Sequence, residues 1–304
     1  MSRASLPSGI ELEYDTFGSP DDSPLLLVMG FTAQMIAWQD AFCQRLADGG
    51  RYVIRFDNRD CGLSSKLDGV EIDGVAIMMA VMAGGDVPPV PYTLSDMAAD
   101  AIGLLDHLGI DHAHLVGASM GGMIVQTMAI EHPDRVLSVT SMMSTVGDAE
   151  FGAPTAEALT VLLRPPASSR QEVVDGSSAY AVWASNKYFD PEATREMAGK
   201  NNDRSYYPAG APRQLAAIFA SGDRSDALRQ VDLPFLVIHG LDDTLITPDG
   251  GRRTAELVPA AHLLEVSDMG HDMPEPLWPL LTGAILGIGD LAISPVGHDS
   301  VVAS

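Results

Sequence analysis

The chain has 304 residues, with 18 basic and 41 acidic side chains, so its net charge is −23, and 46% of its residues are apolar. This composition predicts a soluble, globular protein and excludes both a disordered chain and a small disulfide-stabilised scaffold. Because so negative a surface repels phosphate backbones and anionic lipid head groups, we expect no nucleic-acid partner.

The start of the chain carries no targeting signal that we can identify. Residues 1–14 lack the charged start and apolar stretch of a secretory signal. The longest apolar run, at residues 75–83, is far shorter than the roughly 20 residues that span a bilayer. We therefore expect no transmembrane segment and a cytoplasmic location. Cys43 and Cys61 fit no metal spacing, and we interpret them as reduced packing thiols.

Short apolar runs bounded by turn residues recur along the chain and predict strands that are buried on both faces of a sheet. These runs lie at residues 25–29, 52–56, 114–117, 136–143, 235–240 and 262–266. The clearest helical pattern between them covers residues 94–108 and follows a capping sequence that begins at Thr93. The alternation predicts an α/β fold with a mostly parallel, doubly wound sheet and functional residues at the carboxyl ends of its strands.

Two segments interrupt this alternation. One contains several prolines and helix-like pieces without a buried strand, and we interpret it as a helical cap over the strand ends. The other is short and apolar, and we expect it to belong to the same cover. The predicted division is a core at 1–144 and 230–290, a cap at 145–229, a smaller insertion at 68–91 and a flexible tail at 291–304.

The sequence Gly-Ala-Ser-Met-Gly at residues 117–121 separates an apolar strand from the start of a helix. This arrangement is typical of a nucleophile elbow, a strained turn that would hold Ser119 above the sheet. Gly117 and Gly121 are needed because a side chain at either position would collide with the neighbouring strand or helix. We therefore predict that Ser119 is a nucleophile.

A serine hydroxyl needs a base to take its proton, and the base needs a carboxylate to orient it. His271, in a loop after the last predicted strand, is the candidate base. Asp243 ends a His-Gly-Leu-Asp-Asp turn that starts at His239, and it is the candidate acid. Asp148 is the competing acid, and we interpret Asp242 as a turn cap.

An anionic tetrahedral intermediate also needs two backbone N–H donors. Met120 follows the serine at the helix start and would supply one of them. The loop after the strand at 25–29 would supply the other from Phe31, because Gly30 lets the backbone turn towards Ser119.

Together these motifs resemble those of the α/β-hydrolase superfamily, and the resemblance covers nearly all of the chain outside the cap. It rests on residues 30–31, 57–64, 117–121, 239–243 and 270–271. The chain is similar in particular to the bacterial carboxylesterase and lipase-like branch that includes aclacinomycin methylesterase. This resemblance implies hydrolysis of a small-molecule ester, with no metal or cofactor.

Some features of the motifs leave alternatives open. Met29 stands where many superfamily members have a histidine that braces the oxyanion loop, so the bracing must differ here. Arg59 and Asp60 would either brace the floor of the active site or form a solvated turn. The sequence does not determine the oligomeric state, and a homo-oligomer is compatible with it.

Our first hypothesis is a serine carboxylesterase for neutral, apolar esters. A perhydrolase or haloperoxidase-like enzyme, a C–C bond hydrolase and a non-catalytic binding protein on the same fold are the alternatives. Met78, Met82 and Trp183 are candidate pocket residues, although Met78 and Met82 would equally suit a helix that packs on the core. Arg164 or Arg213 would be needed to bind an anionic ester.

Overall fold

The computed structural model describes residues 2–85 and 87–293 of the chain. A sheet of eight strands crosses the molecule in the order β1-β2-β4-β3-β5-β6-β7-β8. The strands are β1 (Ser2–Ser5), β2 (Glu11–Phe17), β3 (Ser23–Val28), β4 (Arg51–Phe56), β5 (Ala113–Ala118), β6 (Val136–Met142), β7 (Phe235–Gly240) and β8 (Ala261–Val266). Strands β3 to β8 pair with one another in parallel, whereas β1 pairs with β2, and β2 pairs with β4, in antiparallel orientation. The predicted fold class is therefore confirmed.

Helices cover both faces of this sheet. They are α1 (Asp40–Asp48), α2 (Gly74–Met82), α3 (Leu94–His107), α4 (Met120–Glu131), α5 (Ala156–Leu162), α6 (Arg170–Gly176), α7 (Pro191–Arg204), α8 (Ala211–Ala220), α9 (Ser225–Leu228), α10 (Pro248–Leu257) and α11 (Trp278–Ile293). The predicted capping of α3 is present, because Thr93 and Asp96 exchange side-chain and backbone hydrogen bonds. From residue 294 onwards, the predicted tail lies outside the described residues.

Strand β3 explains why this sheet has two hydrophobic layers. Successive side chains of a strand point to opposite faces, and in β3 every side chain from Leu25 to Val28 is buried. Leu26 and Val28 pack into the core formed with α3 and α4, whereas Leu25 and Leu27 pack into the core formed with α1 and α11. A continuous apolar run is therefore required in this strand.

The segment between β6 and β7, residues 143–234, is called here the helical insertion. It contains α5 to α9, and residues 145–229, all of which the structure describes, form no strand. Helix α2 packs against α8, where the backbone at Gly74 approaches Pro212 closely. The short apolar segment thus contacts the helical insertion, while the division into core, cap and smaller insertion stays a prediction. None of the helices in the described part of the chain is long and apolar enough to cross a membrane.

Candidate active site

Ser119 lies between the end of β5 and the start of α4, in the tight turn that the sequence predicts. Its backbone has φ 57° and ψ −122°, a conformation that costs free energy for a residue with a side chain. The surroundings hold it there, since the Ser119 N–H donates to the Met142 carbonyl (2.9 Å) and the Ser119 carbonyl accepts from the Ser144 hydroxyl (2.9 Å).

The glycines on each side of this turn leave no room for a side chain. A Cβ atom at Gly117 would lie 2.1 Å from the Gly121 carbonyl oxygen, and one at Gly121 would lie 2.1 Å from the Val28 carbonyl oxygen. The first contact is with the helix and the second with the neighbouring strand. A side chain at either glycine would therefore collide with the helix or the strand, as the sequence analysis predicts.

The structure brings His271 and Asp243 together at the carboxyl ends of the last two strands. The His271 Nδ1 atom lies 2.7 Å from Asp243 Oδ2. The other carboxylate oxygen, Oδ1, accepts the backbone N–H groups of Leu245 (2.9 Å) and Ile246 (3.0 Å). Asp243 is buried and His271 is partly exposed. A fixed, buried carboxylate thus orients a histidine whose side chain is 9% exposed.

A second histidine, His239, shares the same carboxylate. Its Nε2 atom lies 2.8 Å from the Ile246 carbonyl oxygen and 3.4 Å from Asp243 Oδ2. Because a carbonyl oxygen only accepts hydrogen bonds, we assign the proton of His239 to Nε2. The sequence analysis used His239 only as part of a motif and missed this contact, although the spacing of four residues could have indicated it.

The environment of Asp243 favours its charged form. Burial by itself would raise the pKa of this carboxyl, but the attraction of His271 and the hydrogen bonds from His239 and His271 outweigh it and lower the pKa to about 2. Asp243 therefore stays ionised at any pH where the protein is expected to work.

The two other candidate acids lie in different surroundings. The Asp148 carboxylate accepts the Glu150 N–H (3.0 Å) and lies 3.7 Å from Arg253. Asp242 was interpreted as a turn cap, but its carboxylate accepts the backbone N–H of Asn186 in the helical insertion (3.2 Å). Of the three, Asp243 is the one that bonds to His271.

The loop after β3 passes directly beside the serine. A Cβ atom at Gly30 would lie 2.9 Å from the Ser119 Cβ atom, so this backbone approaches Ser119 as the sequence predicts. Phe31, the proposed donor, follows Gly30 and is partly buried. Met120, the other proposed donor, is the first residue of α4 and is fully buried. Their roles in an oxyanion hole stay predictions.

Three side chains from two parts of the chain brace this loop in the place of the missing histidine. Asn58 Nδ2 donates to the Met29 carbonyl (2.8 Å), and the Asp57 carboxylate accepts the Met35 N–H (2.7 Å). From α8, Gln214 Oε1 accepts the Thr32 N–H (2.8 Å). The Gln214 contact could not be foreseen from sequence, because it joins residues far apart in the chain.

Arg59 and Asp60 are buried braces and not a solvated turn. Arg59 makes a two-pronged ion pair with Asp100 (2.6 and 2.8 Å). Asp60 makes a similar pair with Arg213 (2.8 Å for both bonds) and accepts the Tyr92 hydroxyl (2.8 Å). Since Arg213 is committed to Asp60, it does not offer an unpaired charge to an anionic ester.

The three candidate pocket residues lie in different environments. Met78 is 2% exposed, whereas Met82, one helical turn further along α2, is 63% exposed. Trp183 is partly buried and stacks on Tyr180, with ring centroids 5.4 Å apart. The two methionines therefore do not form one continuous wall in this conformation, and the pocket assignment stays a prediction.

Both cysteines are buried free thiols, as predicted. Burial raises the pKa of Cys43 and of Cys61 to about 12. Neither thiol is therefore poised to compete with Ser119 as a nucleophile.

Comparisons with known proteins also indicate a hydrolase of the α/β fold. A sequence model of the alpha/beta hydrolase fold matches residues 23–179. A rhodomycin D methylesterase of Streptomyces sp. (strain C5) is 28% identical over 301 residues, which cover 91% of this chain and 94% of that protein. The 3-oxoadipate enol-lactonase 2 of Acinetobacter baylyi is 26% identical, with 84% and 88% of the two chains covered.

Among solved structures, the enol-lactonase from Burkholderia xenovorans LB400 aligns with a TM-score of 0.72 at 22% identity and covers 94% of this chain and 99% of that chain. This likeness concerns the fold. The resemblance inferred from the motifs, to a branch of bacterial esterases that includes a methylesterase, is confirmed by the sequence matches.

Proposed function

Because the chain belongs to the alpha/beta hydrolase fold family, we propose that it is a serine carboxylesterase that uses Ser119, His271 and Asp243. One observation carries the proposal: a strained serine at the end of β5 stands on the same sheet edge as a histidine that is hydrogen-bonded to a buried carboxylate. A hydroxyl, a base and an orienting acid are the groups that this chemistry requires.

In the proposed mechanism, the Ser119 oxygen attacks the ester carbonyl carbon while His271 takes the hydroxyl proton. The carbonyl oxygen becomes an anion that the N–H groups of Phe31 and Met120 stabilise. Collapse of this intermediate expels the alcohol, which receives the proton from His271, and leaves an acyl-serine. Water then attacks the acyl group with His271 as the base, which releases the acid and restores the serine.

The proposed substrates are small, neutral, apolar esters. The relatives named as methylesterases support an ester as substrate, and the net charge of −23 disfavours an anionic one. An apolar acyl chain would gain roughly 0.8 kcal/mol for each methylene it buries. We therefore expect kcat/KM to rise several-fold from acetate to butyrate esters.

The experiment is to measure p-nitrophenyl butyrate hydrolysis and fluorophosphonate labelling for wild type, Ser119→Ala, His271→Ala and the double variant. We expect each single substitution to lower kcat by roughly 10³-fold or more and the double variant to be little worse, because the residues act as a unit. Wild-type protein that neither hydrolyses the ester nor is labelled at Ser119 would refute the proposal. Faster turnover of a vinylogous diketone would favour a C–C bond hydrolase instead.

A further inference from the structure

One short segment of the helical insertion bonds to both loops that carry the proposed acid and base. We call residues 182–187 the clasp segment. The acid loop is residues 241–247, and the base loop is residues 267–273. The Val182 carbonyl accepts the Thr244 hydroxyl of the acid loop (2.7 Å). The Trp183 carbonyl accepts the backbone N–H of His271 itself (2.6 Å).

Ser185 is the centre of the contact with the base loop. Its hydroxyl accepts the Gly270 N–H (3.0 Å) and donates to the Asp272 carboxylate (2.5 Å), while its own N–H donates to the same carboxylate (3.1 Å). Gly270 and Asp272 are the two chain neighbours of His271. One hydroxyl therefore bridges the residues on both sides of the base.

We propose that Ser185 is a positioning residue that fixes the base loop, so that His271 keeps its hydrogen bond to Asp243. This inference rests on the proposed function, because it assigns His271 as the base. The hydrogen bonds of Ser185 to this loop go to Gly270 and Asp272, so Ser185 acts on His271 through these two neighbours.

Because the Ser185 hydroxyl is buried, its two hydrogen bonds stabilise one conformation of the base loop. Ser185 is fully buried, and a Cβ atom at Gly270 would lie 2.3 Å from the Trp183 carbonyl oxygen, so the two backbones are in close contact. A buried donor or acceptor that loses its partner pays the full cost of desolvation. Displacement of the base loop would break both bonds of the Ser185 hydroxyl at once.

The main test compares Ser185→Ala with Ser177→Ala. Ser177 is a matched control because it is also a buried hydroxyl of the helical insertion, but it donates only to the Val174 carbonyl (2.7 Å). We expect Ser185→Ala to lower kcat per titrated active site by about 10- to 100-fold, the size typical of a misplaced catalytic group. KM should stay within about threefold, and Ser177→Ala should resemble wild type in both.

A spectroscopic readout separates positioning from a general structural effect. A proton held in a short, charge-assisted hydrogen bond resonates far downfield in a ¹H spectrum. We expect the resonance of the His271 Nδ1 proton to shift or broaden in Ser185→Ala and to be unchanged in Ser177→Ala. Wild-type kcat per titrated site together with an unchanged resonance in Ser185→Ala would overturn the proposal.

Asp272→Ala tests the same bridge if Ser185→Ala does not fold, because Asp272 is only half-buried. We expect a smaller loss of kcat than in Ser185→Ala and the same spectral change. The double variant should be little worse than Ser185→Ala alone, since both changes remove the bond between the Ser185 hydroxyl and the Asp272 carboxylate. Independent, multiplying losses would refute the bridge. If wild type hydrolyses no ester, the proposed function fails, but the resonance still decides whether Ser185 positions His271.

Discussion

At the scale of single residues, the Asp243 carboxylate explains most of the order at the site. Its two oxygens take backbone N–H groups of its own loop on one side and the imidazoles of His239 and His271 on the other. An amide side chain could not accept on both sides, because its nitrogen is only a donor. An asparagine at this position would therefore either favour the His271 tautomer that lacks a proton on Nδ1 or lose its hydrogen bond to His271.

We predict that Asp243→Asn lowers kcat for an aryl ester by about 10³- to 10⁴-fold, the loss expected when the base has the wrong tautomer. Asp148→Asn should leave kcat within a few-fold of wild type, because Asp148 contacts Arg253 and not His271. The measurement is kcat at pH 8 for both variants. A large loss in Asp148→Asn with normal kcat in Asp243→Asn would move the acid to the earlier strand.

The lowered pKa of Asp243 also predicts how stability depends on pH. Its folded-state pKa of about 2 lies below the ordinary value of 3.8, so the folded protein binds this proton less readily than the unfolded chain does. The group therefore contributes stability above about pH 4, amounting to about 2 kcal/mol, and this contribution is lost as the pH falls towards 2.

The measurement is the free energy of unfolding in urea for wild type and Asp243→Asn from pH 7 to pH 2.5. We expect wild type to be the more stable protein at pH 7 and the gap to narrow below pH 4. A gap that stays constant over this range would contradict the stated pKa.

At the scale of elements, the helical insertion forms hydrogen bonds that hold the loops of the proposed site in place. Helix α8 braces the loop after β3 through Gln214, which accepts the Thr32 N–H and donates to the Arg59 carbonyl (2.9 Å). The clasp segment holds the loops after β7 and β8. The insertion thus contacts every loop that we assign to the site, including the elbow, where the Ser144 hydroxyl donates to the Ser119 carbonyl (2.9 Å).

We predict that Gln214→Leu lowers kcat by about tenfold, because Phe31, the proposed oxyanion donor, precedes the Thr32 N–H that would lose its partner. KM should change little. Gln171→Leu is the control, since Gln171 is an exposed residue of the same insertion that bonds only to Asp175 (2.8 Å). Equal kcat values for the two variants would show that Gln214 does not hold this loop.

The sequence was sufficient to predict the central part of the sheet, for a clear physical reason. Strands buried on both faces must be continuously apolar, and β7 begins and ends where the apolar run does. Strands β1 and β2 were not predicted. They lie at one edge of the sheet, and β1 has only four residues. In β2 only Leu12 and Glu13 are buried, so the apolar signal is too weak to stand out.

The same argument applies to the candidate site. Ser119, Asp243 and His271 each lie in a local motif whose glycines and turn residues can be recognised in the chain. Ser185 and Gln214 have no such motif. Their bonds join residues more than 80 positions apart, and a lone serine or glutamine in a helical region predicts nothing about its distant partner.

At the scale of the whole molecule, the charge of −23 should act on substrates before they bind. We predict that kcat/KM for a succinate monoester is lower than for the matched butyrate ester at low salt and rises by roughly tenfold at high salt, as screening weakens repulsion. The butyrate value should be nearly independent of salt. A high, salt-independent value for the succinate ester would indicate a local cation, and loss of that value in Arg164→Gln would identify it.

The location of the helical insertion between β6 and β7 also sets the timing of biosynthesis. Ser119 leaves the ribosome well before Asp243 and His271, which follow the insertion. At about 5 to 20 residues per second, His271, the proposed base, emerges roughly 8 to 30 seconds after Ser119, the proposed nucleophile. A nascent chain that has already folded its elbow thus carries the proposed nucleophile without the proposed base. We therefore expect the protein to hydrolyse esters only after its last two strands have joined the sheet.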